Sequence, residues 1–443
     1  MNMQQFFALG ALILSTPALA QSIRVGPVLQ DASHDRMWVM WETTSSTPSV
    51  VEYGLTPDLG LSSTGSSGAS QSGARIHHTM MSGLKPDTVY YYRVGSGSAI
   101  SEVLSFRTPA EINAEDSFRF AALSDTQGGP ISDMHTRTIN DGIIAFVQQE
   151  FGPILHDELD FVIQPGDLVS TGSNYDQWKD QYFDETQNLY QHVPIYPVPG
   201  NHEQDAHWFF DYFKLPENGT PGFEEHWWYK DHGNIRLIGL DSNSNYRIQT
   251  QLDWLDGVLD DAATNDDIDF VFAQLHHPHL SGIWTPGNTA YTGQVVERME
   301  AFSDATGKPS IHFFGHTHAY ERGQSKDHNH MWVNVAAGEG GIDYWDQSDI
   351  DYDEFQRVFP EWGFVIMEVE AGDDPQFRLR RINRGNNFID RDNEVMDDIT
   401  IKRYNEPPNT PTTQLPSDGD TVIDPDLVQL QATPFNDPDG GFH

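Results

Sequence analysis

The stretch "IHFFGHTHAYERG", residues 311–323, sets an apolar run directly against Gly315-His316-Thr317-His318. A short apolar run of this kind reads as a buried strand, and the two histidines begin where it stops. In an extended segment, residues two apart face the same way, so His316 and His318 are expected to point into one site. Gly315 lets the backbone come close to whatever lies there. Four runs upstream end in the same manner. "FRFAALS" leads to Asp125, "DFVIQPG" to Asp167, "VPIYPVPG" to Asn201-His202-Glu203, and "DFVFAQL" to His276-His277. Open α/β sheets place their sites at the carboxyl ends of strands, so the five ends can converge on one cleft. Carboxylate, imidazole and amide oxygen ligands suit borderline or hard divalent metals.

Each piece has an ordinary reading of its own. Gly-Asp pairs mark turns, Gly-Asn-His can be a loop tip, and His276-His277 can be a core and a surface histidine. His-x-His arises by chance in a chain with 19 histidines. The ordered set of five, each at a strand end, points to a metal site.

Composition narrows the chemistry. At 443 residues the chain suggests two or three domains. An apolar content of 37% with 12% aromatics supports a sizeable core and excludes global disorder. The 25 Lys and Arg against 66 Asp and Glu give a formal net charge of −41. Duplex nucleic acid needs a basic patch, so it is not an expected partner. Such a surface suits a saline habitat, and equally a merely solvated acidic exterior. There are no cysteines, which excludes disulfides and thiolate ligands. Any metal is held by His, Asp, Asn or Glu.

Residues 1–20 read as a secretory signal, with an apolar core Phe6 to Leu14 and Ala18-Leu19-Ala20 as a small-x-small cleavage site. The run is too short to anchor in a bilayer, and no other segment is apolar enough to span one. Export without cysteines fits a bacterial periplasm or exterior. Residues 21–111 read as an all-β sandwich, from "MWVMWET" (37–43), "TVYYYRVG" (88–95) and the turn signal "SGLKPDT" (82–88) between them. Residues 112–405 read as α/β, with helices expected at 135–151, 174–190, 249–262 and 294–306. Residues 406–443 read as a Pro/Thr/Asp linker and the start of a further β-domain. There Asp418, Asp420, Asp437 and Asp439 serve as turn residues or as a weak structural Ca²⁺ site.

"SDTQ" (124–127), "GDLVSTG" (166–172), "GNHE" (200–203), "LHHP" (275–278) and "GHTH" (315–318) resemble, in order, the motifs of the calcineurin-like metallophosphoesterases. "GHTHAYER" and the β-module ending in "GLKPDTVYYYRVG" and "SFRTP" narrow the resemblance to the purple acid phosphatases. It spans residues 23–385. It implies an α/β metallophosphoesterase sandwich of two mixed β-sheets flanked by helices, preceded by a fibronectin type III-like sandwich. It also implies two metals bridged by Asp167, with Asp125 and His318 on the first and Asn201, His276 and His316 on the second. His202 is similar to the family histidine that contacts the phosphate or protonates the leaving group. The implied activity is hydrolysis of phosphate monoesters, small-molecule substrates, by attack of a metal-bound hydroxide. Two alternatives stand beside it: a phosphodiesterase acting on nucleotides or glycerophosphodiesters, and a non-catalytic adhesion protein with a relic metallo-domain.

The chain departs from the family pattern twice. Ser170 stands three residues after Asp167, where purple acid phosphatases carry the tyrosine that ligates Fe(III). Gln127 stands two residues after Asp125, where other metallophosphoesterases carry a histidine. The expected ions are therefore divalent, Mn, Zn or Fe, in a colourless protein working at neutral to alkaline pH. Gln127 either binds the first metal through its side-chain oxygen or orients a water. His279 is a candidate substrate contact or a rim histidine without a role. Glu321 and Arg322 are expected to pair with each other. The rings of "HWFF" (207–210) and "HWWY" (226–229) are read as core, with stacking on a substrate as the alternative.

Overall fold

The computed structural model describes residues 21–112, 115–128, 133–404, 409–415 and 430–434. The expected signal segment and the four aspartates of the candidate calcium site lie outside these residues.

Two large sheets carry the α/β half. At the centre of a ten-stranded sheet, Phe118–Ala122, Phe161–Pro165 and Ile195–Val198 run parallel. In a seven-stranded sheet, Ile235–Gly239, Phe270–Gln274, Ser310–Phe314 and His330–Val335 do the same. Every residue of Phe161–Pro165, Ile195–Val198, Phe270–Gln274 and Ser310–Phe314 is buried. Strands covered on both faces read as unbroken apolar runs, which is why these four were legible in sequence. The main core lies between the sheets, where Phe120 meets Phe272 and Phe313 at ring distances of 6.0 and 6.1 Å.

Helices cover the outer faces. Gln249–Thr264 and Ala290–Thr306 bury Leu252, Leu255, Val258, Val295 and Met299 against Ile238 and Val271 of the seven-stranded sheet. The other two expected helices are not uniform. Each contains a stretch of wider π-helix, Thr138–Ile144 and Trp178–Phe183. The wide turns put Ile139 and Ile143, and Trp178, Tyr182 and Phe183, into the core. A count at 3.6 residues per turn does not register this.

In the N-terminal half, Leu61–Thr64, Val50–Gly54, Val89–Ser96 and Leu104–Arg107 make one sheet. It packs over Ile23–Ser33, Arg36–Thr43 and Arg75–Ser82 through Leu29, Val39, Trp41, Val51, Tyr92 and Phe106. This second layer is not a separate sheet. Ile23–Ser33 also pairs in parallel with Ile195–Val198, with Gln30 opposite Ile195. Gln30 Nε2 donates to the Tyr212 carbonyl at 2.9 Å, and Tyr92 OH to the Gln191 carbonyl at 2.7 Å. Fully buried Glu42 accepts from Tyr175 OH at 2.5 Å, Arg24 at 2.7 Å and Tyr212 OH at 3.2 Å. The two halves are thus joined by ladder, side-chain and ion-pair contacts. Among the described residues no helix is long and apolar enough to cross a membrane.

Candidate metal centre

The carboxyl ends of the parallel strands of both sheets meet at one cleft. Asp125, Asp167 and His316 lie just beyond three of those ends and have left-handed backbone, with φ of 56°, 54° and 72°. Non-glycine residues held in that region cost about 1–3 kcal/mol each and persist where the surroundings over-determine them. The restraints here are identifiable. Glu203 is fully buried, and its carboxylate accepts the backbone N–H of Asp167 at 2.9 Å, Leu168 at 2.8 Å and Gly200 at 2.6 Å. It therefore ties the loop after Phe161–Pro165 to the loop after Ile195–Val198. The Asp125 carboxylate accepts the His316 N–H at 3.0 Å and so links the two sheets. Gly200 and Gly315 sit where no side chain fits. A Cβ on Gly200 would lie 2.2 Å from Asp167 Oδ1, and one on Gly315 2.3 Å from Asp125 Oδ2.

The ring orientations follow from backbone carbonyls. His276 Nδ1 is 2.9 Å from the Pro165 carbonyl, His318 Nδ1 is 2.7 Å from that of Gly341, and His202 Nδ1 is 2.8 Å from that of Ser170. Each Nδ1 thus carries the proton and donates, leaving Nε2 to face the site. His276 Nε2 lies 3.1 Å from Asp167 Oδ2, 3.0 Å from Asn201 Oδ1 and 3.2 Å from His316 Nδ1. The ligand-type atoms of Asp167, His276 and His316 all fall within 4.8 Å of one another. On the other side of Asp167, His318 Nε2 is 3.3 Å from Asp125 Oδ1 and 3.2 Å from the Gln127 amide nitrogen. That nitrogen is also 3.3 Å from Asp167 Oδ2. Gln127 Oε1 is buried without a hydrogen-bond partner. A half-turn of the amide exchanges the two atoms and turns the oxygen toward Asp167 and His318.

Two clusters of lone-pair donors thus share one carboxylate. The electrostatics say what the clusters lack. Burial disfavours protonation of His276, yet Asp167 and Asp125 outweigh it and raise the ring to about 9. Burial also works against His318, and the Asp125 carboxylate raises it to about 9. Asp125 is pushed up by burial but brought down to about 2 by His318 and His276. Burial and the neighbouring His276 lower His316 to about 4. The carboxylates therefore draw protons onto two imidazoles to obtain positive charge. The donor set, two carboxylates, three imidazoles and one or two amide oxygens, fits a pair of hard or borderline divalent cations.

His202 faces the open side, its Nε2 3.9 Å from Asp167 Oδ2 and its side chain 39% exposed. Its N–H donates to Asp167 Oδ1 at 2.8 Å. Ser170 is turned away, with its hydroxyl donating to the Gly128 carbonyl at 3.1 Å. His277 lies behind the cluster, its ring 4.5 Å from that of His316 and its Nδ1 2.9 Å from Ser242 Oγ.

Three expectations need correction. The segment after Phe314 is a run of bends rather than extended chain, so His316 and His318 reach different clusters. His279 does not enter the cleft: beyond Pro278 the chain turns under Ala290–Thr306, where a Cβ on Gly293 would lie 2.7 Å from the His279 ring. Glu321 and Arg322 do not pair, because consecutive residues of the strand Tyr320–Gln324 face opposite sides. Glu321 accepts from Ser281 Oγ and the Gly282 N–H at 2.8 and 2.7 Å, and Arg322 pairs with Asp397 at 2.5 Å. Tyr175, the nearest tyrosine downstream of Ser170, is committed to Glu42. The rings of Trp208, Phe209, Trp227 and Trp228 are buried in the core, as expected. Sequence reasoning missed Glu203 as a strut and Trp284 as a neighbour of His316. Glu203 lay in a quoted motif, but nothing local reveals which amides it caps.

Comparison with known proteins agrees with this geometry. The family description "Calcineurin-like phosphoesterase" matches residues 118–320, and "Purple acid Phosphatase, N-terminal domain" matches residues 24–108. Purple acid phosphatase 18 of Arabidopsis thaliana is 28% identical over 335 residues, covering 70% of this chain and 69% of its own length. A purple acid phosphatase from yellow lupin (Lupinus luteus) seeds superposes with a TM-score of 0.66 at 16% identity, covering 84% of this chain and 73% of that one. PhoD superposes with a TM-score of 0.63 at 10% identity, covering 88% and 92%. Over residues 118–320 the chain carries a domain of the calcineurin-like metallophosphoesterases. Within them it is a purple acid phosphatase-like protein, a metal-dependent phosphatase of the binuclear kind.

Proposed function

We propose that the protein hydrolyses small phosphate monoesters, with Asp167 shared between two divalent ions. Asp125, His318 and Gln127 hold the first ion, and Asn201, His276 and His316 the second. The observation that carries the reading is the single carboxylate oxygen, Asp167 Oδ2, lying 3.1 Å from His276 Nε2 and 3.3 Å from the Gln127 amide. Bound there, the ions supply Lewis acidity toward a phosphoryl oxygen and lower the pKa of a water. The chain supplies the rest. The Pro165 and Gly341 carbonyls fix His276 and His318 in the tautomer that ligates. Glu203 holds Asp167 in its left-handed turn. His202 presents Nε2 to the open side while the Ser170 carbonyl accepts from Nδ1. With Nδ1 committed to that carbonyl, Nε2 is the ring nitrogen placed to pass a proton to the departing ester oxygen.

Mn, Zn or ferrous iron is the expected metal, since Ser170 offers no phenolate. Export to a periplasm or exterior is the matching location, motivated by residues 1–20 and the absence of cysteine. The test is elemental analysis of purified protein together with rates on a monoester and the corresponding diester. Two metals per chain and faster monoester turnover are expected. A faster diester selects the phosphodiesterase alternative, and full metallation without turnover selects a binding protein.

A further inference from the structure

Trp284 stands at the edge of the metal cleft. It is a large apolar residue left 40% exposed, and its ring centre lies 5.2 Å from that of His316, tilted by 56°. The other tryptophans singled out in the sequence, Trp208, Trp227 and Trp228, are buried. The loop that presents Trp284 is held firmly. Ser281 Oγ and the Gly282 N–H both donate to the fully buried Glu321 carboxylate. The Trp284 carbonyl accepts the Gly287 N–H at 3.0 Å. A Cβ on Gly287 would come within 3.0 Å of Trp284, His316 and Thr317, so the turn packs directly on the ligand-bearing segment.

A second segment borders the same rim. It starts at His318, whose Nδ1 donates to the Gly341 carbonyl and whose N–H donates to Asp343 at 2.9 Å. It ends against the Trp284 loop, where Asn288 Nδ2 donates to Tyr352 OH at 3.3 Å. Between these anchors Tyr344 and Trp345 are 40% and 52% exposed. The Tyr344 ring packs on that of Phe388 at 5.8 Å, so of these rings Trp284 is the one in contact with a histidine of the cleft.

We propose that Trp284 is a specificity-determining residue. Its indole face stacks on a planar aromatic alcohol half of a phosphate monoester, a nucleobase or aryl group, while the phosphate occupies the metal centre. This rests on the phosphomonoesterase reading and adds the class of substrate. Stacking accepts any aromatic face, and a ring already fixed in place loses little freedom on binding. It also suits a protein whose charge repels anions, because the contact requires no ion pair.

The test compares adenosine 5′-monophosphate with ribose 5-phosphate on metal-loaded protein. The two share the ester and the departing 5′ alcohol and differ in the base, so leaving-group chemistry cancels. Wild type should favour the nucleotide in kcat/KM by about tenfold, the scale of one base–aromatic stack. In Trp284→Ala that ratio should fall to about one, and in Trp284→Phe most of it should return. A ratio unchanged in Trp284→Ala, or a wild-type ratio near one, overturns the inference while leaving the phosphatase reading intact. Wild-type protein inert toward both esters overturns the phosphatase reading and the inference with it.

Discussion

Acid should unfold this protein well before it reaches the range implied by the words acid phosphatase. Four buried histidines outside the metal centre are the cause. His135 is lowered to about 4 by burial, its Nδ1 bonded to the Gln181 carbonyl and its Nε2 without a partner. His330 is lowered to about 3 by burial and the nearby His328. Its Nδ1 is held by Ser310 Oγ at 2.7 Å. His77 is lowered to about 4 by burial, clamped between Thr43 and Ser49 hydroxyls, each at 2.8 Å. His312, packed 2.9 Å from His330, is driven well below its ordinary value by burial and that neighbour. A histidine depressed in the folded state contributes stability above its unfolded pKa of about 6.5 and loses it as pH falls toward the folded value. Between pH 7 and pH 5 the unfolded chain takes up nearly one proton at each position and the folded chain almost none. His135, His330 and His77 then cost about 2 kcal/mol each, and His312 adds to the same side.

Glu203 works the other way. Burial and Asp167 raise it to about 7 in the metal-free protein, so its protonation on folding returns roughly 2 kcal/mol over the same interval. His276 and His318, both near 9, are fully protonated in folded and metal-free protein throughout, and gain little more below 6.5. His316, lowered to about 4 by burial and His276, adds a loss of the same sign, so the depressed histidines outweigh Glu203, and the net loss is several kcal/mol against the stability of an ordinary domain, about 5–15 kcal/mol. Denaturant midpoints of metal-free protein at pH 7, 6 and 5 measure it, and His135→Gln should lose about 2 kcal/mol less than wild type across that interval. A midpoint unchanged from pH 7 to 5, or a variant as acid-sensitive as wild type, refutes the account of neutral buried imidazoles.

Asp167→Ala should empty both metal positions and His316→Ala mainly one, read by elemental analysis after gel filtration; two retained metals in Asp167→Ala would show that the carboxylate is not shared. His202→Ala should slow alkyl phosphates more than aryl phosphates with acidic phenols, by about 10² on the former. An equal loss on both would assign the ring to phosphate binding. The protein should lack the visible band of an iron–tyrosinate pair, because Ser170 cannot supply a phenolate and the Tyr175 phenol, raised to about 12 by burial and Glu42, is held at that carboxylate. Such a band, lost in Tyr175→Phe, would contradict this.

The parts legible in sequence share a physical reason. Doubly covered parallel strands write themselves as apolar runs, and a site at their carboxyl ends must place its groups directly after them, where Asp125, Asp167 and His276 stand. Features set by tertiary contact left no such trace. The parallel pairing of Gln30 with Ile195 merges two modules into one sheet through a register that no local pattern encodes. His279 satisfied a plausible spacing, but the turn after Pro278 carried it beneath a helix instead of into the cleft. Glu321 and Arg322 are opposite in sign and adjacent in sequence, and the strand's alternation separates them. In the segment containing His316 the two-residue rule started from a wrong premise. The backbone bends there, with His316 at a φ of 72°, and the histidines serve two clusters because the chain is not extended.

That bend connects the strain at the site with its charge. Asp125, Asp167 and His316 are each held in a left-handed turn, and each turn aims a lone pair at neighbours that also carry lone pairs. Nothing among the aimed groups attracts the others unless positive charge lies between them. In the metal-free protein two protons on His276 and His318 supply it, and a pair of metal ions bound there would supply more of it at the same place. The surface cannot help, because its net charge of −41 opposes an approaching phosphate. Attraction for that phosphate must therefore be local, generated within the few ångströms around Asp167 and screened from the acidic exterior by burial. Cations held among these groups would stabilise the strained turns and would make the cleft a place where a phosphate can bind.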